Sequence, residues 1–166
     1  VDLLNIGQFM QGREATEELT AETEILSGFF ITLAYCSPEA LKKINKKAER
    51  TKYIGHQPIT TTDDQAQLQG MAKYVKGWRG LTLRMMSNLL AFSIADLEEE
   101  EKDQEVPFTT HNLQALLDKN QAFGFLLKGS VGSTGIFQTA LEGELKNVPN
   151  GPVGGSSREE SPADSV

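Results

Sequence analysis

The stretch Ile25-Leu26-Ser27-Gly28-Phe29-Phe30-Ile31-Thr32-Leu33-Ala34-Tyr35 decides the fold class, because it is the one strong strand signal in a chain otherwise patterned for helices. Aromatic and β-branched residues dominate it, and these suit a pleated, half-buried surface. Gly28 marks a bulge or a turn within it. A lone strand leaves its backbone groups unpaired, so it needs a partner, either residues 20–26 folding back as a hairpin or another subunit. Downstream, apolar residues recur at helical spacing. The expectation is a mainly α (α+β) fold. One helical domain spans residues 1–147 with a small N-terminal β-hairpin element at about 20–36, and a disordered tail follows at 148–166.

Working outward, residues 1–20 carry Leu3, Leu4, Ile6, Phe9 and Met10 without a clear period, so a short helix and an extended arm both fit. Ser37-Pro38-Glu39 reads as N-cap, N1 proline and acidic first turn. The helix it opens sets Leu41, Ile44 and Ala48 on one face, with Lys42, Lys43, Lys46, Lys47 and Arg50 around the rest. That basic face reads first as solvated, with contact to phosphate or to an acidic partner as the alternative. Tyr53 to Thr62 reads as a connector containing Gly55 and Pro58. Asp63 or Thr62 caps the next helix, whose face holds Leu68, Met71, Ala72, Val75 and Trp78, with Gly77 and Gly80 bracketing its end. Leu83, Met86, Leu90, Ile94 and Leu97 then repeat at helical spacing, widened by Met85, Leu89 and Phe92. A helix that apolar is buried on more than one side, in the core or against another chain.

Between Asp96 and Glu105 stand seven acidic residues and a single lysine, Lys102. Calcium loops set alternating oxygen ligands around a turn glycine, and this run has no glycine, so a solvated loop is expected. The segment Val106-Pro107-Phe108-Thr109-Thr110-His111-Asn112-Leu113-Gln114-Ala115-Leu116-Leu117 starts a helix. Pro107 keeps Val106 extended and stops any preceding helix. Thr109 is the N-cap, which places Phe108 and Leu113 at the spacing of a hydrophobic staple, while Asn112 leaves a capping box incomplete. Phe123, Phe125, Leu126 and Leu127 continue this helix or form a second one. Lys128 to Gly135 is a glycine-containing break that lacks the Gly-Lys-Ser/Thr ending of a phosphate loop. Ile136, Phe137, Ala140, Leu141 and Leu145 form the last amphipathic helix.

At 166 residues and 18.2 kDa, with 39% apolar and 23% charged residues, the chain can bury a real core. A net charge of −7 and a pI near 4.9 argue against a general nucleic-acid binder, since phosphate binding rests on cationic surface. The single cysteine, Cys36, excludes an intrachain disulfide and reads as a buried structural thiol. No apolar stretch approaches the ~20 residues that span a bilayer, and the first residues are not patterned as a secretory signal, so a cytoplasmic location is expected. The two histidines, His56 and His111, share no ligand spacing with each other or with Cys36. Carboxylates cluster in solvent-type segments rather than in apolar surroundings that would raise their pKa. The residues therefore point to an interaction protein with no catalytic site, no metal or cofactor site and no small-molecule substrate.

Two short signatures, Val75-Lys76-Gly77-Trp78-Arg79-Gly80-Leu81 and Pro107-Phe108-Thr109-Thr110-His111-Asn112-Leu113, flank the acidic run. Together with the β-rich Phe29–Tyr35 and the Pro38–Arg50 helix, in that order, they resemble the tail assembly chaperones of long-tailed bacteriophages and prophages. The likeness covers roughly residues 20–147. The chain departs from that pattern in holding the extra apolar stretch Leu83–Leu97, and in Thr110-His111 where the pattern usually has Pro-Glu. The resemblance implies a non-catalytic morphogenesis factor that coats the tape measure protein, keeps it soluble and helps recruit tail tube protein. It would act in the host cell cytoplasm and be absent from the mature virion, with self-association left open. Candidate partner-binding residues are Trp78, Leu83, Met86, Leu90, Ile94 and Phe108, methionine being adaptable to varied partners; the same residues equally suit a bundle core. Two other classes remain: a structural head–tail connector or tail completion protein, and a small DNA-binding regulator using the lysine-rich segment 42–52.

Overall fold

The structure, a computed structural model, describes residue 16 and residues 18–146. The expectations for residues 1–15 and for the tail at 148–166 lie outside the described residues. Within them the chain is an α+β fold with two small antiparallel sheets and seven helices.

The strand signal forms the expected hairpin. Strands β1 (Thr20–Leu26) and β2 (Phe29–Ala34) pair antiparallel, from Thr20 opposite Ala34 to Leu26 opposite Phe29, with Gly28 at the turn. Alternation along β2 drives Phe29, Ile31 and Leu33 inward, each with no exposed surface. Phe30 points to the other face, under the Arg79 guanidinium at 4.0 Å. Helix α1 (Pro38–Ala48) follows, and the Ser37 hydroxyl caps it by accepting from the Ala40 N–H at 3.1 Å. Helix α2 (Asp64–Ala72) is capped by Asp63, whose carboxylate accepts from the Ala66 N–H at 3.0 Å.

Two expectations are corrected here. The segment Tyr53 to Thr62 is not a connector: β3 (Glu49–Ile54) and β4 (Gln57–Thr62) form a second hairpin with a two-residue turn at Gly55-His56. Gly55 takes φ +64, as a hairpin turn with glycine first demands. Pro58 is tolerated because a two-stranded sheet has only edges. The second correction concerns Val75 and Trp78. Their spacing from Leu68 is helical, yet α2 ends at Ala72, and Val75–Arg79 is strand β5. It pairs antiparallel with β2, Trp78 opposite Ile31, giving a sheet of order β1-β2-β5. The free edge of β2 offers backbone partners that a continued helix would forgo; Val75 and Trp78 suit a pleat, and Gly77 disfavours a helix interior.

The apolar stripe also stops early. Helix α3 (Leu83–Leu90) starts on a Thr82 cap and ends where Ala91 turns left-handed at φ +55, so Ile94 and Leu97 lie beyond it. A short α4 (Glu99–Lys102) crosses the acidic run. Helix α5 (Thr110–Lys119) begins as expected, the Thr109 hydroxyl accepting from the Asn112 N–H at 3.0 Å. Phe123 to Leu127 belong to a separate helix, α6 (Gln121–Val131), rather than to a continuation, and α7 (Gly135–Lys146) ends the described chain. Asn120 makes the break between α5 and α6: its carbonyl caps the Phe123 N–H at 2.7 Å while its amide donates to the Leu89 carbonyl at 2.8 Å. The core gathers the inner face of the three-stranded sheet with Leu81, Leu116, Phe123, Leu127 and Val131.

Backbone geometry gives a direct test. A Cβ at Gly80, where φ is +75, would drive into the Gly28 carbonyl oxygen, so Gly80→Ala should cost about 3 kcal/mol or more. Ala91→Gly, which relieves a left-handed alanine, should gain about 0.5–1 kcal/mol. Urea midpoints at unchanged slope measure both.

Candidate functional site

Trp78 joins the two sequence signatures. Its ring meets Phe29 edge-on at 6.0 Å and Phe108 edge-on at 4.9 Å, and its indole N–H donates to the Val106 carbonyl at 2.8 Å. Next to it, the Val106 N–H donates to the Leu81 carbonyl at 2.7 Å, and the Leu83 N–H to the Gln104 carbonyl at 2.9 Å. These bonds close the excursion from Thr82 to Glu105 at its base, where the two residues form an isolated bridge. The sequence candidates therefore face largely inward. Met86 is buried, while Trp78, Leu90 and Phe108 are half-buried and packed against the core. Leu83 and Ile94 are half-buried as well. Trp78 and Phe108 are brought into contact, as parts of the interior.

The acidic run is more organised than a solvated loop. Arg84 reaches out of α3 to Asp103 at 2.9 Å and Glu99 at 2.8 Å, and Lys102 meets Glu99 at 2.7 Å. The Glu105 carboxylate accepts from the Gly80 N–H at 2.7 Å. The hydrogen bond from Lys102, with that from Arg84 next, holds the Glu99 carboxyl down to about 2 from its ordinary 4.5. Hydrogen bonds to Asp103 and then Glu99 push the Arg84 pKa upward. Such exposed pairs add little to stability, but they fix the excursion against α3.

Nucleophile and ligand chemistry is dispersed over separate elements. His56 stands exposed at the turn of the β3–β4 hairpin, His111 is exposed in the first turn of α5, and Cys36 is buried after β2. Among the described residues no group of three or more His, Cys, Asp or Glu side chains is placed to hold a metal ion. None of their helices is long and apolar enough to cross a membrane.

What stands out instead is exposed apolar surface on the β3–β4 hairpin, which sequence reasoning missed by taking it for a connector. All twelve of its strand residues are exposed, including Tyr53 at 71%, Ile54 at 69% and Ile59 at 42%. Register sets Lys52 opposite Ile59 and Ile54 opposite Gln57, so one face carries both isoleucines with Arg50 and Lys52, and the other carries Tyr53 and Pro58. The base is tied down by the Asp63 N–H donating to the Ala48 carbonyl at 2.7 Å and by an Arg50–Asp63 ion pair at 3.4 Å. The available signal was the Gly55-His56 pair between two runs rich in Thr, Tyr and Ile. A smaller exposed patch, Phe125 and Leu126, lies on the outer side of α6.

No protein-family profile, no curated protein and no solved structure matches the chain.

The charge network predicts a titration. The Glu99 contribution is present above its ordinary pKa and is lost as pH falls toward 2, since its folded value is depressed. In carboxyl-detected NMR the Glu99 midpoint should lie near 2, and it should return toward the ordinary carboxylate range when both Arg84 and Lys102 become Gln.

Proposed function

We propose that this chain is a non-catalytic tail assembly chaperone of a long-tailed phage or prophage. It binds the tape measure protein, keeps it soluble and helps recruit tail tube subunits in the host cell cytoplasm. The ordered signatures support this reading, and the observation that carries it is the projecting β3–β4 hairpin with Tyr53, Ile54 and Ile59 bare to solvent. A two-stranded hairpin that buries none of its own side chains is marginal alone, and its exposed apolar residues are surface for another chain to cover. Holding a long apolar client in solution requires surface of this kind, and an acidic total charge keeps the assembly dispersed. The client surface accordingly moves from the Leu83–Ile94 stripe, whose Met86 and Leu90 pack into or against the core, to the hairpin.

Co-expression with a tape measure protein encoded in the same genome tests the proposal. The wild-type chain should bring the client into the soluble fraction, and a client that stays insoluble overturns the reading. Tyr53→Ser, Ile54→Ser and Ile59→Ser combined should abolish that rescue while shifting the urea midpoint little, because these side chains touch no core. Leu90→Asp should instead destabilise the fold by about 2–3 kcal/mol, as burying charge against apolar neighbours does.

A further inference from the structure

The seam between α1 and α2 opens into a groove of about 620 Å³. The helices approach closely there because residue 70 has no side chain: a Cβ at Gly70 would lie 2.7 Å from Ile44 Cγ2. Ala40, Ile44, Ala66 and Gly70 supply the apolar part of the lining, and Ser37, Gln69 and Tyr74 its uncharged polar part. Its charged lining residues are Lys43, Lys47 and Lys73, with Glu39 as the one carboxylate. On α1 these positions recur at 40, 43, 44 and 47, and on α2 at 66, 70 and 73. That is ridge spacing, so the groove runs along the helices for about two turns.

The groove concentrates positive charge in an acidic chain, since Lys43 and Lys47 of α1 and Lys73 at the end of α2 line it against the single carboxylate of Glu39. Five of the cations find carboxylates, Arg50 with Asp63, Arg79 with Glu22, Arg84 with Glu99 and Asp103, Lys102 with Glu99, Lys128 with Asp64, while Lys42, Lys46, Lys52, Lys76 and Lys119 outside the groove form no ion pair among the described residues. Lys43, Lys47 and Lys73 are exposed and enter no ion pair among the described residues, in a chain with 23 acidic side chains against 16 basic ones. Three unpaired cations beside a lining of small apolar residues match one kind of partner. We propose that the groove binds an acidic amphipathic helix of another protein. The apolar stripe of that helix lies on Ala40, Ile44, Ala66 and Gly70, and its flanking carboxylates meet Lys43, Lys47 and Lys73. Small residues let a third helix come close enough to pack ridge into groove. A nucleic-acid backbone would use the lysines and leave the apolar lining idle. This surface is separate from the β3–β4 hairpin, and the proposal holds whichever process the partner belongs to.

Fluorescence anisotropy with the full chain tests it. The probes are a labelled helical peptide of about 18 residues, five turns, with leucines at i, i+3, i+4 and i+7 and glutamates beside them, its counterpart with lysines for glutamates, and a single-stranded DNA. The glutamate peptide should bind saturably, and the lysine peptide and DNA at least about tenfold more weakly. Lys43→Glu with Lys47→Glu should weaken the glutamate peptide by about tenfold or more, while Lys42→Glu with Lys46→Glu, the same charge change on the same helix outside the groove, should stay within about twofold. All four positions are exposed, and circular dichroism verifies that both variants keep their helical content. Absence of saturable binding, equal binding of the lysine peptide or the DNA, or equal weakening by the two variants overturns the proposal. None of these outcomes bears on rescue of the tape measure protein, so the two readings fail separately.

Discussion

The indole of Trp78 is the constraint on which the rest of the structure depends. It lies on β5, edge-on to Phe29 of β2 and to Phe108 ahead of α5, and its N–H is satisfied by the Val106 carbonyl. A half-buried aromatic with a polar handle needs both an apolar bed and an acceptor, and here each comes from a different part of the chain. The sheet supplies the bed and the segment after the acidic run supplies the acceptor. Positions 28 residues apart are thereby held together, and the excursion between them returns Met86 to the core. The Leu83–Glu105 excursion is closed by the Leu81–Val106 and Leu83–Gln104 backbone bonds and packed down by Met86 of α3.

Against that anchored core, two surfaces are left without an internal purpose. The β3–β4 hairpin extends α1 and α2 outward and buries nothing, while the α1–α2 groove keeps three lysines free of carboxylates in an acid-rich chain. Folding alone does not select the bare face of the hairpin, since exposed Tyr and Ile invite aggregation. Both surfaces are what a protein would hold in reserve for contact with other chains. At its base the hairpin is tied to the helices by the bond from the Asp63 N–H to the Ala48 carbonyl and by the Arg50–Asp63 ion pair.

Local chemistry was legible in the residues wherever a cap or turn acts within a few positions. Ser37 and Thr109 were readable as N-caps, Asp63 as one of two candidates with Thr62, and the Ile25–Tyr35 run as a strand needing a partner; a cap is legible because a hydroxyl or carboxylate finds its N–H three residues away whatever the rest of the chain does. The candidate surface was not legible in the same way. Trp78, Met86, Leu90 and Phe108 have the composition of a docking stripe and of a core alike, and periodicity does not separate the two. The hairpin went unread because Gly55 and Pro58 dominate its middle, although the Thr, Tyr and Ile around them carried a strand signal.

The sequence by itself determined the α+β class, the caps and the acidic balance, since these follow from side-chain chemistry and short-range spacing. Only tertiary structure decided whether Val75–Arg79 would be helix or strand, where the Leu83 stripe would stop, and which apolar residues would remain outside. The spacing of Val75 and Trp78 satisfies a helix, yet the open edge of β2 and the aromatic bed of Phe29 are contributed from more than forty residues away. Hydrogen-bond partners and burial at such distances are properties of the packed chain, and no local pattern contains them.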